Sequence, residues 1–182
     1  FFAGAIGLSL AAVGGAFTVA SGWYPLFRLT NVSHVTIRGF ELRNLRTSAK
    51  NRVPIGILVS GAGTGVRLLG NRIHDLGTTY PGSSGGDAHG IAVYGDAAAP
   101  ITDIVVRGNV LHDLSLGSSE ALVLNGNVAG FLVEANEVRD CNNIGIDAIG
   151  HEGTCPDPAQ DAARNGVIRA NTVHGISSYG NP

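Results

Sequence analysis

VRLLGNRIHDL, Val66 to Leu76, decides the fold, because its pattern occurs five times along the chain. Its second half recurs as FELRNL from Phe40, NVLHDL from Asn109, NEVRDC from Asn136 and NTVHGI from Asn171. Its first half recurs as VTIRG from Val35, IVVRG from Ile104, FLVEA from Phe131 and GVIRA from Gly166. A further β-branched run leads the later units: IGILVSG from Ile55, HGIAVYG from His89, EALVLNG from Glu120 and IGIDAIG from Ile144. Successive phrases lie 27 to 38 residues apart. Periods of this size built only of short strands predict a solenoid whose units bury their apolar faces on one another.

The aligned columns name the inward side chains. Leu42, Ile73, Leu111, Val138 and Val173 share one column, and Ile37, Leu68, Val106, Val133 and Ile168 another. In the leading runs Ile57, Ile91, Leu122 and Ile146 stack, as do Val59, Val93, Leu124 and Ala148. Alternation along each strand with apolar identity down each column describes parallel strands around a narrow core. A βαβ sheet would need crossover helices of about a dozen residues. These connections are too short, or too rich in Gly, Pro and Ser.

With 27 Gly among 182 residues, 14% charged residues and a net charge of −2, the chain has no basic stripe for nucleic acid. Residues 26–182 are expected to form one all-β domain of about five coils, a piece of a longer helix. Residues 1–25 carry no charge, and are expected to be an N-terminal cap or incomplete first coil, with a leftover export segment as the alternative. No membrane span is expected in the mature domain. Cys141 falls in the inward column of Leu76 and Leu114, so it should be a buried thiol, and a bridge to Cys155 would be strained.

These repeats resemble the right-handed parallel β-helix superfamily, which includes pectate lyases, polygalacturonases, alginate and chondroitin lyases, and many phage and surface proteins. The likeness runs from about Trp23 to the C-terminus. It implies a secreted or cell-surface protein that acts on or binds a polysaccharide; the fold alone does not choose the reaction.

Regular polar columns are expected to be scaffold. Asn71, Asn109, Asn136 and Asn171 should form an amide ladder. Arg107, Glu134 and Arg169 should form a charge ladder. The His74–Asp75 and His112–Asp113 pairs travel with the repeat, which favours turn caps over a Ca²⁺ site.

Function should sit where the repeat breaks. Three connections are long: Arg46 to Pro54 with Lys50 and Arg52, Gly77 to Ala88 with Asp87, and His151 to Asn165 with His151 and Glu152. Lys50, Arg52, Asp87 and His89 should share one edge, with Glu120 stacked on His89. At the other strand ends Tyr94 and Asn125 stack. Asp147 is a lone carboxylate in an outward column with Leu58, Ala92 and Val123. NNIGID, Asn142 to Asp147, resembles the segment of family 9 pectate lyases in which a strand Asp helps bind Ca²⁺. That likeness implies Asp147 as a Ca²⁺ ligand; apart from it, Asp87 is a weaker metal candidate.

Two chemistries fit these residues. Elimination from a uronate needs a neutralised carboxylate and a base, which Lys50, Arg52 or His89 would supply. Glycoside hydrolysis needs two carboxyls about 5–9.5 Å apart, for which Glu120, Asp147 and Glu152 are the candidates, with Asp147 and Glu152 the readiest pair. The expected catalytic set is therefore Glu120, Asp147, Glu152 and His89, with Lys50, Arg52, Tyr94, Asn125 and His151 binding substrate. The expected partner is an acidic, uronate-containing polysaccharide, and lyase chemistry is slightly favoured over hydrolysis, with a non-catalytic surface module as the third class.

Overall fold

The computed structural model describes residues 22–178. Of the cap or export segment expected over residues 1–25, all but residues 22–25 lie outside them, and those four begin the first strand of the leading sheet.

Every sheet among the described residues is parallel, and strands that neighbour in space belong to successive repeats. The leading sheet runs Gly22–Thr30, Arg52–Ser60, His89–Gly95, Glu120–Gly126 and Ile144–Ile149. The first half of the phrase forms a sheet of three-residue strands, Thr36–Arg38, Arg67–Leu69, Val105–Arg107, Leu132–Glu134 and Val167–Arg169. The second half forms Glu41–Thr47, Arg72–Thr78, Val110–Ser115, Glu137–Asn142 and Thr172–Ser177. This is an all-β parallel solenoid of about five turns. A fourth sheet lies in what the sequence presents as a mere turn: the two-residue strands Gly63–Thr64, Ile101–Thr102, Val128–Ala129 and Ala163–Arg164. Strands so short carry no alternation by which to be recognised.

Registers follow the columns. Ile73 pairs with Leu111 and Leu111 with Val138, and Leu68 pairs with Val106 and Val106 with Val133. These side chains are sealed in one continuous core. Burying each such Leu or Ile contributes about 1.5–3 kcal/mol. The Asn ladder runs through that core. Asn71 Nδ2 donates to Asn109 Oδ1 (3.0 Å) and to the Ile37 carbonyl (3.1 Å), while the Asn71 backbone N–H also donates to Asn109 Oδ1 (2.9 Å). The same three bonds recur from Asn109 to Asn136 and from Asn136 to Asn171.

The Asp of the HD pair has a backbone reason. Asn44, Asp75, Asp113, Asp140 and Gly175 occupy one column, and all have φ between 50° and 64°. Asn, Asp and Gly are the residues that enter the left-handed region most cheaply. The pairing skips this position, linking His74 to His112 and then Leu76 to Leu114. Each Asp is thus a one-residue corner inside its strand rather than a cap at its end, and its carboxylate bonds to the side chain of His74, His112 or Arg139. The column before the phrase repeats the requirement at Gly39, Gly70 and Gly108, and then places Ala135 and Ala170 there at φ 53°.

Both cysteines are buried and free. Burial first, then nearby acids, pushes the Cys141 thiol up to about 11, as fits a small apolar filler. No helix among the described residues is long and apolar enough to cross a membrane.

Candidate functional site

One irregularity in the leading sheet builds the site. The column Gly56, Gly90, Ala121 and Gly145 faces the core, and so does the next column, Ile57, Ile91, Leu122 and Ile146. A Cβ at Gly90 would lie 2.7 Å from Leu111 Cδ2 and 2.8 Å from the Ala121 carbonyl oxygen, so only a very small residue fits. Two successive inward residues turn the preceding position outward. That position is Ile55, His89, Glu120 and Ile144 in successive coils. The outer face therefore carries His89 and Glu120 at one end, Leu58, Ala92, Val123 and Asp147 in the middle, and Tyr94 and Asn125 beyond.

The middle of this face is not an ordinary solvated surface. Val53, Ile55, Leu58, Ala92 and Val123 form a second buried apolar cluster, with Tyr94 and Ile149 packed on it. Although they stand at opposite ends of one strand, the Tyr94 and His89 rings come within 6.0 Å. They lean toward one another across Ala92. Trp23, which is 36% exposed, lies 4.6 Å from the Tyr94 ring and continues the aromatic surface.

His89 is almost wholly covered, with 4% of its side chain exposed. Its Nδ1 donates to the Glu120 carbonyl at 3.1 Å and lies 3.5 Å from Glu120 Oε2. Burial pulls its pKa down to about 4, against a smaller upward effect of that hydrogen bond, so the ring is neutral near pH 7. The expected stacking of Glu120 on His89 is present, but as a neutral imidazole on a backbone carbonyl.

Glu120 is 13% exposed at its side chain. Burial pushes its carboxyl up to about 7, and the negative charges of Asp147, then Glu152 and Asp87, add to the effect. Tyr94 is likewise held well above the ordinary phenol value by burial, then by Glu120, Glu152 and Asp87. The charges that weigh most on Glu120 are thus all carboxylates.

The third insertion delivers Glu152. Its Oε2 accepts from Asn125 Nδ2 at 2.8 Å, and Thr154 Oγ1 donates to Asn125 Oδ1 at 3.1 Å. Asp161, which is buried, holds this loop: its carboxylate accepts from the backbone N–H groups of Gly153 (2.7 Å) and Cys155 (2.9 Å). Those bonds, led by the one from Cys155, draw the Asp161 pKa below the usual carboxylate value. Arg164 fastens the far end by donating to Asn127 Oδ1 at 2.9 Å.

The strands put His89, Tyr94, Glu120, Asn125 and Asp147 on one outer face, and Glu152 and Asp87, from the connections that flank it, act on Glu120 through their charge. Asp147 and Glu152, the pair singled out in the sequence, both act on Glu120. Asp87 accepts from Ser119 Oγ at 3.3 Å. Lys50 and Arg52 lie at the start of the Arg52–Ser60 strand, two strands from Glu120, with the Lys50 stem against Gly85 of the neighbouring insertion. His151 is exposed at a corner with φ 65° and bonds through its backbone N–H to the Asp161 carbonyl. Trp23 and Thr154 carry no signal in the sequence, and Asp161 stands in the third insertion with nothing to mark it as the brace of the loop. A lone Trp outside the repeated units, and a loop Asp whose partners are backbone groups, leave no pattern to find.

Among the described residues, no three His, Cys, Asp or Glu side chains converge as a metal site. Asp147 therefore lacks acidic co-ligands arranged for Ca²⁺, which takes six to eight oxygens, and no step below passes through a metal.

Fold and site together define a parallel β-solenoid with an acid-rich, aromatic-flanked outer face. The chain is 44% identical over 151 residues to "Uncharacterized protein YwoF" of Bacillus subtilis (strain 168), a match covering 82% of this chain and 31% of that protein. No family model matches the chain, and no solved structure matches it.

Proposed function

We propose that the protein is a carbohydrate-active β-solenoid of the pectate lyase-like kind, working outside the cell or at its surface, and that it cleaves a glycosidic bond by paired carboxyls. The observation that carries this reading is Glu120: a mostly covered carboxyl, raised to about 7 and flanked by the charge of Asp147. Glycoside hydrolysis requires that combination of one carboxyl kept protonated near neutrality beside one kept charged. Glu120 donates its proton to the departing glycosidic oxygen. Asp147, on the next coil, supports the developing positive charge at the sugar carbon, as nucleophile or as base for water. Asn125 orients Glu152 beside them. Trp23 and Tyr94 offer the flat apolar surface on which a sugar ring stacks.

β-Elimination from an acidic polysaccharide is the second reading, favoured by the neutral imidazole of His89. Positive charge for a uronate would then come from Lys50 and Arg52, two strands away. Incubating the full-length protein with neutral, amino and uronate polysaccharides separates the readings. Hydrolysis yields new reducing ends without ultraviolet absorbance, whereas an unsaturated, absorbing product selects elimination. Unchanged polymers throughout would remove both and leave a binding or structural module.

A further inference from the structure

The net charge of −2 conceals a separation of charge along the solenoid axis. The first described coil, residues 22–51, carries five basic residues, Arg28, Arg38, Arg43, Arg46 and Lys50, against one acid, Glu41, a net of +4. Residues 89–178 carry four basic residues against eleven acids, a net of −7. Residues 1–21 contain no charged side chain, so nothing in the sequence that leads into the first coil offsets its charge.

The basic side chains encircle that coil. Arg28 stands opposite Leu58 on the outer face of the leading sheet, Arg38 follows the inward Ile37 in the second sheet, and Arg43 follows the inward Leu42 in the third. Arg46 ends the same run of the third sheet and Lys50 lies in the connection after it. All five are exposed. Arg38, Arg43 and Lys50 make no side-chain hydrogen bond or ion pair among the described residues. The pair of Arg46 with Asp75 is long, 3.5 Å, and open to solvent, whereas Glu41 is engaged by His74 at 3.0 Å.

This coil also ends the Asn ladder. Phe40 stands in the Asn column; its N–H donates to Asn71 Oδ1 at 3.1 Å, and its ring lies edge-on to Phe27 at 5.0 Å. A phenyl ring has no amide oxygen to offer a coil before it, so the ladder runs from here in one direction only. Exposed large apolar side chains gather at both ends, Trp23 and Leu26 in the first coil and Val167, Ile168 and Val173 in the last. In the first they accompany an excess of basic residues, and in the last an excess of acids, since Asp147, Glu152, Asp157 and Asp161 outnumber Arg164 and Arg169.

We infer that the first-coil end docks on an anionic lipid membrane, with the acidic coils directed away from it. An extended polymer lying along one face would touch the basic residues of one sheet, whereas a plane across the end of the rod meets those of all three. Each Lys or Arg brought to such a surface adds attraction, and the long aliphatic stems let the charged heads reach the lipid headgroups. Leu26 and the Trp23 edge are then placed to enter the interface.

Co-sedimentation of the full-length protein with vesicles tests this. Binding should be about 10²-fold stronger to an equal mixture of phosphatidylglycerol and phosphatidylcholine than to phosphatidylcholine alone, and it should weaken as salt rises. R38Q, R43Q and R46Q combined should lower binding to the anionic vesicles about 10²-fold and leave glycan cleavage unchanged, because none of the three lies on the glycan face. The lipid and salt series on the unaltered protein decide the matter if the triple variant folds poorly. Equal binding to both vesicles, or binding to neither, overturns the inference. So does a folded triple variant that binds as the unaltered protein does. Equal binding of double-stranded DNA at the same salt would assign the basic coil to soluble anionic polymers and overturn it too. Binding to anionic vesicles without any glycan cleavage would overturn the proposed hydrolysis alone.

Discussion

Two outer faces of this solenoid carry histidine beside acid, and they treat the charges in opposite ways. On the face formed by Arg72–Thr78 and Val110–Ser115, His74 stacks on His112 at 4.7 Å with the rings within 4° of parallel. Each charge there has a neighbour: His74 lies 2.7 Å from Asp75 and 3.0 Å from Glu41, and His112 2.6 Å from Asp113. Arg72 Nε donates to His112 Nε2 at 3.1 Å, so His112 Nδ1 carries the proton toward Asp113. On the face of His89–Gly95 and Glu120–Gly126, acids gather against acids and the imidazole is kept neutral by burial. The first arrangement lowers the pKa of Glu41 and of Asp75, chiefly through their hydrogen bonds to His74; the second raises that of Glu120. Residue types alone are therefore a poor guide to chemistry. What matters is whether the neighbouring coil brings a compensating charge.

The largest effect that would break this comparison is on catalysis. E120Q should lower cleavage by about 10²–10⁴-fold, while H112Q on the regular face should leave it within about twofold; equal losses in both variants would erase the distinction. In the unaltered protein, cleavage should fall as pH rises through about 7, because Glu120 then loses the proton it must donate. Stability follows the same sign. An acid whose folded pKa is raised contributes stability that is complete below its ordinary value of 4.5 and lost as pH rises through about 7. Denaturant midpoints measured across that window should decline more in the unaltered protein than in E120Q.

The next effect belongs to the scaffold. N109A would strip the Leu68 carbonyl of its donor and leave both the Asn71 N–H and the Asn136 Oδ1 short of partners. A loss of about 2–4 kcal/mol is expected by urea unfolding, with activity per folded molecule retained. A third and smaller change tests the insertion. D161N weakens the cradle that sets Glu152, so kcat should fall about tenfold with KM little changed, and the pH at which activity falls should move, because Glu152 also acts on Glu120. Unchanged pH dependence would reduce Asp161 to a loop brace. The smallest effect is favourable: A135G relieves a left-handed Ala and should stabilise by up to about 1 kcal/mol in the same unfolding assay.

The regular half of the molecule was legible because repetition samples each position several times. Asn71 is ambiguous alone; four Asn in one column are an amide ladder, and the bonds follow. The HD pairs became corners by the same logic once Asn44 and Gly175 joined their column. The site was legible only as a set of departures. Asp147, Glu120 and His89 stood out, yet their relation did not, since it depends on the doubled inward column at Gly90 and Ala121 that turns the preceding residue outward. Alternation counted along the strand misses that reversal, and Trp23 and Asp161 make contacts that no repeat encodes.

By itself, the sequence determined the parallel solenoid of about five turns, its inward columns and its ladders, because stacking repeated units leaves one register that buries the apolar columns, with Ile168 and Val173 of the last described coil left exposed. Only the tertiary structure decided which polar residues remain uncompensated. That depends on which charges the adjacent coil and the 151–165 insertion bring to bear on Glu120, where burial and like charge together lift the carboxyl toward neutrality.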